Sequence, residues 1–134
     1  MRRELIVAIL AGLLILLPET SWAEVICHKE RPLKPVHCVC GKLIDPSGGP
    51  ISGVLVRLNR DGADVSAGST GADGKFLFPE MKSGKYELAA DFDGFRPFRS
   101  PIVLTKPAKK CRHELLIMMV LPYPDNCGSY VMKR

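Results

Sequence analysis

The sequence is poor in the groups that carry out chemistry. It holds three histidines, His28, His37 and His113. None has a glutamate three residues later, so the His-x-x-Glu pair of an open zinc site is missing. No Gly-x-Ser-x-Gly elbow occurs. No Cys-x-x-Cys pair occurs either, which excludes the thioredoxin and c-type haem patterns. With no reaction signature, no catalytic residue is assigned, no cofactor is implied, and the chain is expected not to be an enzyme. Aromatic side chains are few, and the single tryptophan, Trp22, lies near the start.

Long hydrophobic runs are also missing. The longest spans Leu5 to Leu17. A membrane-spanning helix needs about 20 apolar residues, so this run is too short. It follows Met1-Arg2-Arg3, is closed by Pro18, and is succeeded by Ser21-Trp22-Ala23. A basic start, an apolar centre and a small-x-small end describe an export signal. Residues 1–23 are therefore expected to be a cleaved leader of bacterial type. No membrane span is expected after cleavage, and the destination is the periplasm or the outside. Arg2 and Arg3 balance Glu4 and Glu19, so cleavage leaves the net charge of +5 unchanged. The basic residues are scattered and no recognition motif accompanies them, so nucleic acid is not an expected partner.

All five cysteines follow the leader: Cys27, Cys38, Cys40, Cys111 and Cys127. Export makes disulfides the first expectation. An odd count leaves a thiol that is free or paired between molecules, so a disulfide-linked homodimer is one alternative. Cys27-His28 and His37-Cys38-x-Cys40 also gather soft and borderline ligands, so a Cys/His zinc or copper protein is another. An oxidising compartment converts such thiols to disulfides, and no metal ligand is assigned.

The chain from Glu24 to Arg134 divides further. Residues 24–35 read as an irregular arm, with Pro32 and Pro35 opposing a helix. Val36 to Ile44 is the first expected strand, with Val39 and Leu43 on one face and Cys38, Cys40 and Lys42 on the other. Asp45-Pro-Ser-Gly-Gly-Pro50 is a turn. Ile51 to Asn59 is the second strand, with Val54, Val56 and Leu58 inward. Arg60 to Gly68 reads as a polar loop. Asp73-Gly74 signals a hairpin before Lys75 to Phe78, where Phe76 and Phe78 face inward. Lys85 to Asp91 is a strand with Tyr86, Leu88 and Ala90 inward. Brief strands are expected at Phe95–Phe98 and Pro101–Thr105, and a last apolar strand at His113–Leu121. Pro107-Ala-Lys-Lys110 is a basic loop between them. Residues 122–134 form a tail. Short strands with frequent turn signals describe a sandwich or barrel.

The motifs have a family likeness. Gly41-x-x-x-Asp45-x-x-Gly48-x-Pro50-Ile51-x-Gly53-Val54-x-Val56 resembles the opening of carboxypeptidase regulatory-like domains. Thr70-x-x-Asp73-Gly74-x-Phe76 and Gly84-x-Tyr86-x-Leu88 resemble their middle, and Gly94-Phe95 with the last apolar strand their end. The likeness covers residues 36–121. It implies an all-β, seven-stranded Greek-key sandwich of transthyretin-like type. Relatives are accessory modules on exported peptidases, outer-membrane receptors and polysaccharide-related proteins. A hydrolase with this fold ends in Tyr-Arg-Gly-Ser, whereas this chain ends Tyr130-Val-Met-Lys-Arg134. In such folds the first and last strands run side by side in parallel. That implies a bridge from Cys111 to Cys38 or Cys40, with Cys27–Cys127 joining the two ends. The family also implies a binding or adhesion role toward an envelope protein or a glycan. The expected contact patch is Phe92, Phe95, Arg96, Phe98 and Arg99.

Overall fold

The computed structural model describes Cys27, residues 33–124 and residues 127–132. The expected leader and most of the expected arm lie outside these. Among the described residues eight strands form: β1 (Val39–Ile44), β2 (Leu55–Arg60), β3 (Ala63–Ser69), β4 (Lys75–Phe78), β5 (Gly84–Asp91), β6 (Phe98–Leu104), β7 (Leu115–Met118) and β8 (Tyr130–Val131). One sheet has the order β4-β1-β7-β8 and the other β3-β2-β5-β6. Every pairing is antiparallel except β1 with β7, which is parallel from Gly41↔Leu115 to Ile44↔Met118. No helix occurs among the described residues. This is the expected all-β sandwich, with the short β8 as a strand beyond the seven.

Alternation builds the core. A strand turns successive side chains to opposite faces, so every second residue can be apolar and buried. Val39 and Leu43 of β1, Val56 and Leu58 of β2, Phe76 and Phe78 of β4, and Tyr86, Leu88 and Ala90 of β5 all pack between the sheets. Phe98, Ile102 and Leu104 of β6 join them with Ile117 and Met119. The intervening Leu55 and Leu77 face solvent.

The motif residues have structural work. Thr70 is buried; its hydroxyl donates to the Ile51 carbonyl at 2.6 Å and accepts the Val54 N–H at 3.0 Å. Asp45 accepts from the backbone N–H of Ser47 and of Gly49 and from the Ser47 hydroxyl, closing the turn after β1. Gly41 admits no side chain: a Cβ there would sit 2.5 Å from the Leu115 carbonyl oxygen and 2.7 Å from the Phe76 ring.

Three expectations change. Residues 60–68 are not one loop: Arg60 ends β2, Asp61-Gly62 is a tight turn, and β3 begins at Ala63. β3 is an edge strand whose residues are mostly exposed, so it shows no apolar alternation. Its pairing with β2 is further offset by an irregularity at Leu58/Asn59. Asp73-Gly74 does not close a hairpin. It carries the chain from β3 in one sheet to β4 in the other. The two brief strands expected around Pro101 are one, β6. A proline fits there because β6 is at a sheet edge, where an N–H can be spared.

The short segment before β1 positions the site. Val36 pairs in parallel with Leu104 at the β6 edge. Its N–H donates to the Val103 carbonyl and its carbonyl accepts from Thr105, both at 2.9 Å. The chain then enters β1 of the opposite sheet. Residues 36–38 thus bridge the two layers.

Candidate functional site

A groove of about 440 Å³ opens along this crossing segment. Leu33, Val36, Ala108 and Leu115 give it apolar walls, and Lys34, His37, Lys110, Arg112 and His113 border it. Among the described residues, no aspartate or glutamate lines it. Two stretches build it, residues 33–38 and the connection from β6 to β7. The Ala108 N–H donates to the His37 carbonyl at 2.8 Å, tying one stretch to the other. His37 Nδ1 lies 2.6 Å from the Thr105 carbonyl oxygen. That acceptor requires the proton on Nδ1 and fixes the ring.

Cys38 lies on the groove wall and also borders a second hollow of about 370 Å³, lined in part by Phe78, Glu80, Met81 and Lys109. It is the one free cysteine among the described residues. Cys40 and Cys111 are disulfide-bonded, with Cα atoms 6.4 Å apart, and Cys27 and Cys127 form a second bridge with Cα atoms 5.4 Å apart. The sulfurs of Cys38, Cys40 and Cys111 all lie within 4.8 Å of one another. Such a cluster has the ligand type for a soft metal, but two of the three sulfurs are committed to the bridge. Cys40 is buried, whereas Cys38 is partly open. Partial burial pushes the Cys38 thiol above its ordinary pKa.

The five residues expected to form a contact patch are not gathered on one surface. Phe98 has no exposure and lies in the core. Phe95 is half-buried against that core, with its ring 6.0 Å from that of Phe92. Phe92 is exposed. The Arg96 side chain donates to the Tyr123 carbonyl, while its own carbonyl accepts from Ser129. Arg99 donates to Asp91 at 2.7 Å and to the Phe98 carbonyl at 2.7 Å. Asp91 also accepts from Arg57. Partial burial would raise the Asp91 carboxyl, but hydrogen bonds and charge from Arg99 and Arg57 outweigh it and hold it below the usual range. These arginines are therefore engaged within the protein.

The profile of the carboxypeptidase regulatory-like domain matches residues 39–112. The chain belongs to that family. No curated protein matches it in sequence. Among solved structures it is similar to the 5-hydroxyisourate hydrolase of Klebsiella pneumoniae, with a TM-score of 0.53 and 20% identity over 72% of this chain and 97% of that one. At this identity the likeness shows the fold alone. It nevertheless corrects one expectation. The missing reaction motifs suggested that this chain is not an enzyme, yet a hydrolase is built on a similar sandwich. The architecture is compatible with catalysis, and absent motifs do not exclude it. A β-sandwich of this regulatory-like family fits a binding or interaction module. Disulfides fit an oxidising, exported compartment. No helix among the described residues is long and apolar enough to cross a membrane.

The groove was not visible as a site in the sequence. Its one local signal is the basic loop Pro107-Ala-Lys-Lys110. Lys34 and Arg112 carry no pattern of their own, and reach the same groove because Val36 and His37 bond to the end of β6 and the stretch after it while β1 and β7 run in parallel.

Proposed function

We propose that the chain is an exported binding module that holds a protein partner at the cell envelope, and that the groove beside Cys38 is its contact site. The partner segment carries apolar side chains together with acidic groups. One observation carries this reading: apolar walls bordered by Lys34, Lys110, Arg112 and two histidines, with no carboxylate lining it among the described residues. Such a border favours an anionic partner and speeds its encounter, while the walls supply burial. In this reading residues 1–23 are the leader, 24–35 the arm, 36–121 the binding domain and 122–134 the tail.

The test is selection from a random peptide library on the oxidised protein. Acidic, partly apolar sequences should be enriched. Their binding should weaken with salt, and by about tenfold or more in the Lys110→Glu/Arg112→Glu variant. Enrichment without charge preference, or binding unchanged by the charge reversal, would refute the site.

A second reading is a covalent dimer through Cys38, favoured by its partly open, unbonded thiol. A non-reducing gel of the purified protein tests it. A dimer band that vanishes with reductant and is missing in Cys38→Ser supports this reading, and a monomer alone ends it.

A further inference from the structure

Three sulfur atoms stand together beside the start of β1, two of them joined in the Cys40–Cys111 bridge. Cys38 is unbonded, and its sulfur lies within 4.8 Å of both sulfurs of the Cys40–Cys111 bridge. Thiol–disulfide exchange requires a thiolate that can reach a bridge sulfur. Here the attacking group and the bridge belong to one chain, and the sulfurs already lie within 4.8 Å of one another. We propose that Cys38, Cys40 and Cys111 form an intramolecular disulfide-exchange site with two interconverting bridges.

The step balances without an added oxidant or reductant. The Cys38 thiol loses its proton to solvent, and its sulfur attacks Cys111 Sγ. The Cys38–Cys111 bond forms as the Cys40–Cys111 bond breaks. Cys40 departs as thiolate and takes up a proton. One thiol and one disulfide are present before and after. Attack at Cys111 is the productive direction. A Cys38–Cys40 bond would join residues two apart, and the start of β1 would have to fold back on itself, whereas disulfide geometry wants the two Cβ atoms about 4 Å apart.

The two bridges differ in what they show to the outside. With Cys40–Cys111 closed, the free thiol is Cys38, on the wall of the groove. With Cys38–Cys111 closed, the free thiol is Cys40, which is 4% exposed. Exchange therefore hides the thiol or presents it, while the tie between the start of β1 and the approach to β7 is kept in both forms. The site sets whether this face can be captured covalently by an external thiol or disulfide. It stands whether or not the groove holds an acidic partner.

The test uses the oxidised full chain, with no added thiol. The protein is incubated at mildly alkaline pH, about 8.5, where the thiolate fraction is appreciable. Samples are quenched in acid, unfolded, alkylated with a maleimide and mapped without reduction. Fragmentation between residues 38 and 40 locates the label. The expected result is label on Cys40 rising from near zero to a plateau, with a Cys38–Cys111 bridge appearing in step. Its rate should be unchanged on tenfold dilution. Label confined to Cys38 at every time, or transfer that slows in proportion to dilution, would overturn the proposal. A Cys40→Ser variant gives a second readout. It should close Cys38–Cys111 on air oxidation and contain no free thiol. Two free thiols at positions 38 and 111 in the folded variant would also overturn it.

Discussion

Replacing Cys111 with serine removes the one partner that both forms of the sulfur cluster need. The Cys40–Cys111 bond closes a loop with a sequence separation of 71. In the chain-entropy description, a cross-link over that span restricts the unfolded chain by about 4 kcal/mol at 25 °C. That is a large part of the roughly 5–15 kcal/mol that holds a domain folded. The native side changes less, since serine is smaller than cysteine and the Cys111 site is only partly buried. The loss should fall on β7 in particular. β1 and β7 pair in parallel over four positions, and no tight turn joins parallel strands. The bridge supplies the local closure that a hairpin supplies to an antiparallel pair. Urea unfolding of the oxidised wild type and of Cys111→Ser, followed by circular dichroism, measures the difference. We expect a loss of about 3–4 kcal/mol and a steeper denaturant dependence, because the chain, then cross-linked only through Cys27–Cys127, expands further. Hydrogen exchange should show the β7 amides losing most protection. A loss below about 1 kcal/mol with an unchanged slope would refute the assignment of the bridge as the closure of this parallel pair.

Four further outcomes follow from the geometry. Gly41→Ala should destabilise by about 2–3 kcal/mol or more, since its Cβ meets the Leu115 carbonyl and the Phe76 ring; Gly68→Ala, with 3.9 Å to its nearest neighbour, should be nearly neutral in the same thermal scan. Phe98→Ala should lose about 3–5 kcal/mol as a core truncation, whereas Phe92→Ala should lose less than about 1 kcal/mol. The Asp91 carboxyl is lowered in the folded protein, so its stabilisation is full above its unfolded pKa and disappears as acid takes the pH down through the folded value. Asp91→Asn should therefore flatten the acid limb of a stability–pH curve, by no more than about 1 kcal/mol because the group is about one third exposed. Alkylation of Cys38 at neutral pH should be slower than that of a cysteine in an unstructured peptide, and should keep rising with pH past the point where the peptide levels off.

The sequence revealed the fold wherever burial is one-sided. On β2, β4 and β5 the inward residues are apolar and the outward ones are mostly not, so alternation alone locates Val56, Leu58, Phe76, Phe78, Tyr86 and Leu88. β3 escaped because nearly all of its residues are wet, and a strand exposed on both faces has the composition of a loop. Phe98 was misplaced for a related reason. Residues 92–99 contain three phenylalanines and two arginines, each set at a three-residue spacing rather than the two-residue period of a strand, and only the onset of β6 at Phe98 turns that ring into the core. The candidate site is a harder case. Its two stretches are separated by most of the domain, and neither has a motif. Their meeting depends on the bonds of Val36 and His37 to the end of β6 and the stretch after it, and on the parallel pairing of β1 and β7, none of which a local pattern encodes.

That pairing also explains why the groove, the free thiol and the bridge are found together. A parallel neighbour for β1 must arrive by a connection that crosses from one sheet to the other, and here it is the basic stretch between β6 and β7. The segment before β1 makes the same crossing, from the β6 edge at Val36 to β1 at Val39. Two crossings beside one another leave a furrow, because neither backbone can fill the space between sheets as interdigitated side chains do. The furrow carries positive charge because the crossing residues include Lys34, Lys110 and Arg112, and the disulfide fastens one crossing to the other. Shifting the bridge from Cys40 to Cys38 would move that fastening two residues along the chain, toward the groove. A change in sulfur pairing would then alter the shape of the groove as well as the thiol it presents, which makes the bridge isomer and partner affinity measurable against each other in a single titration.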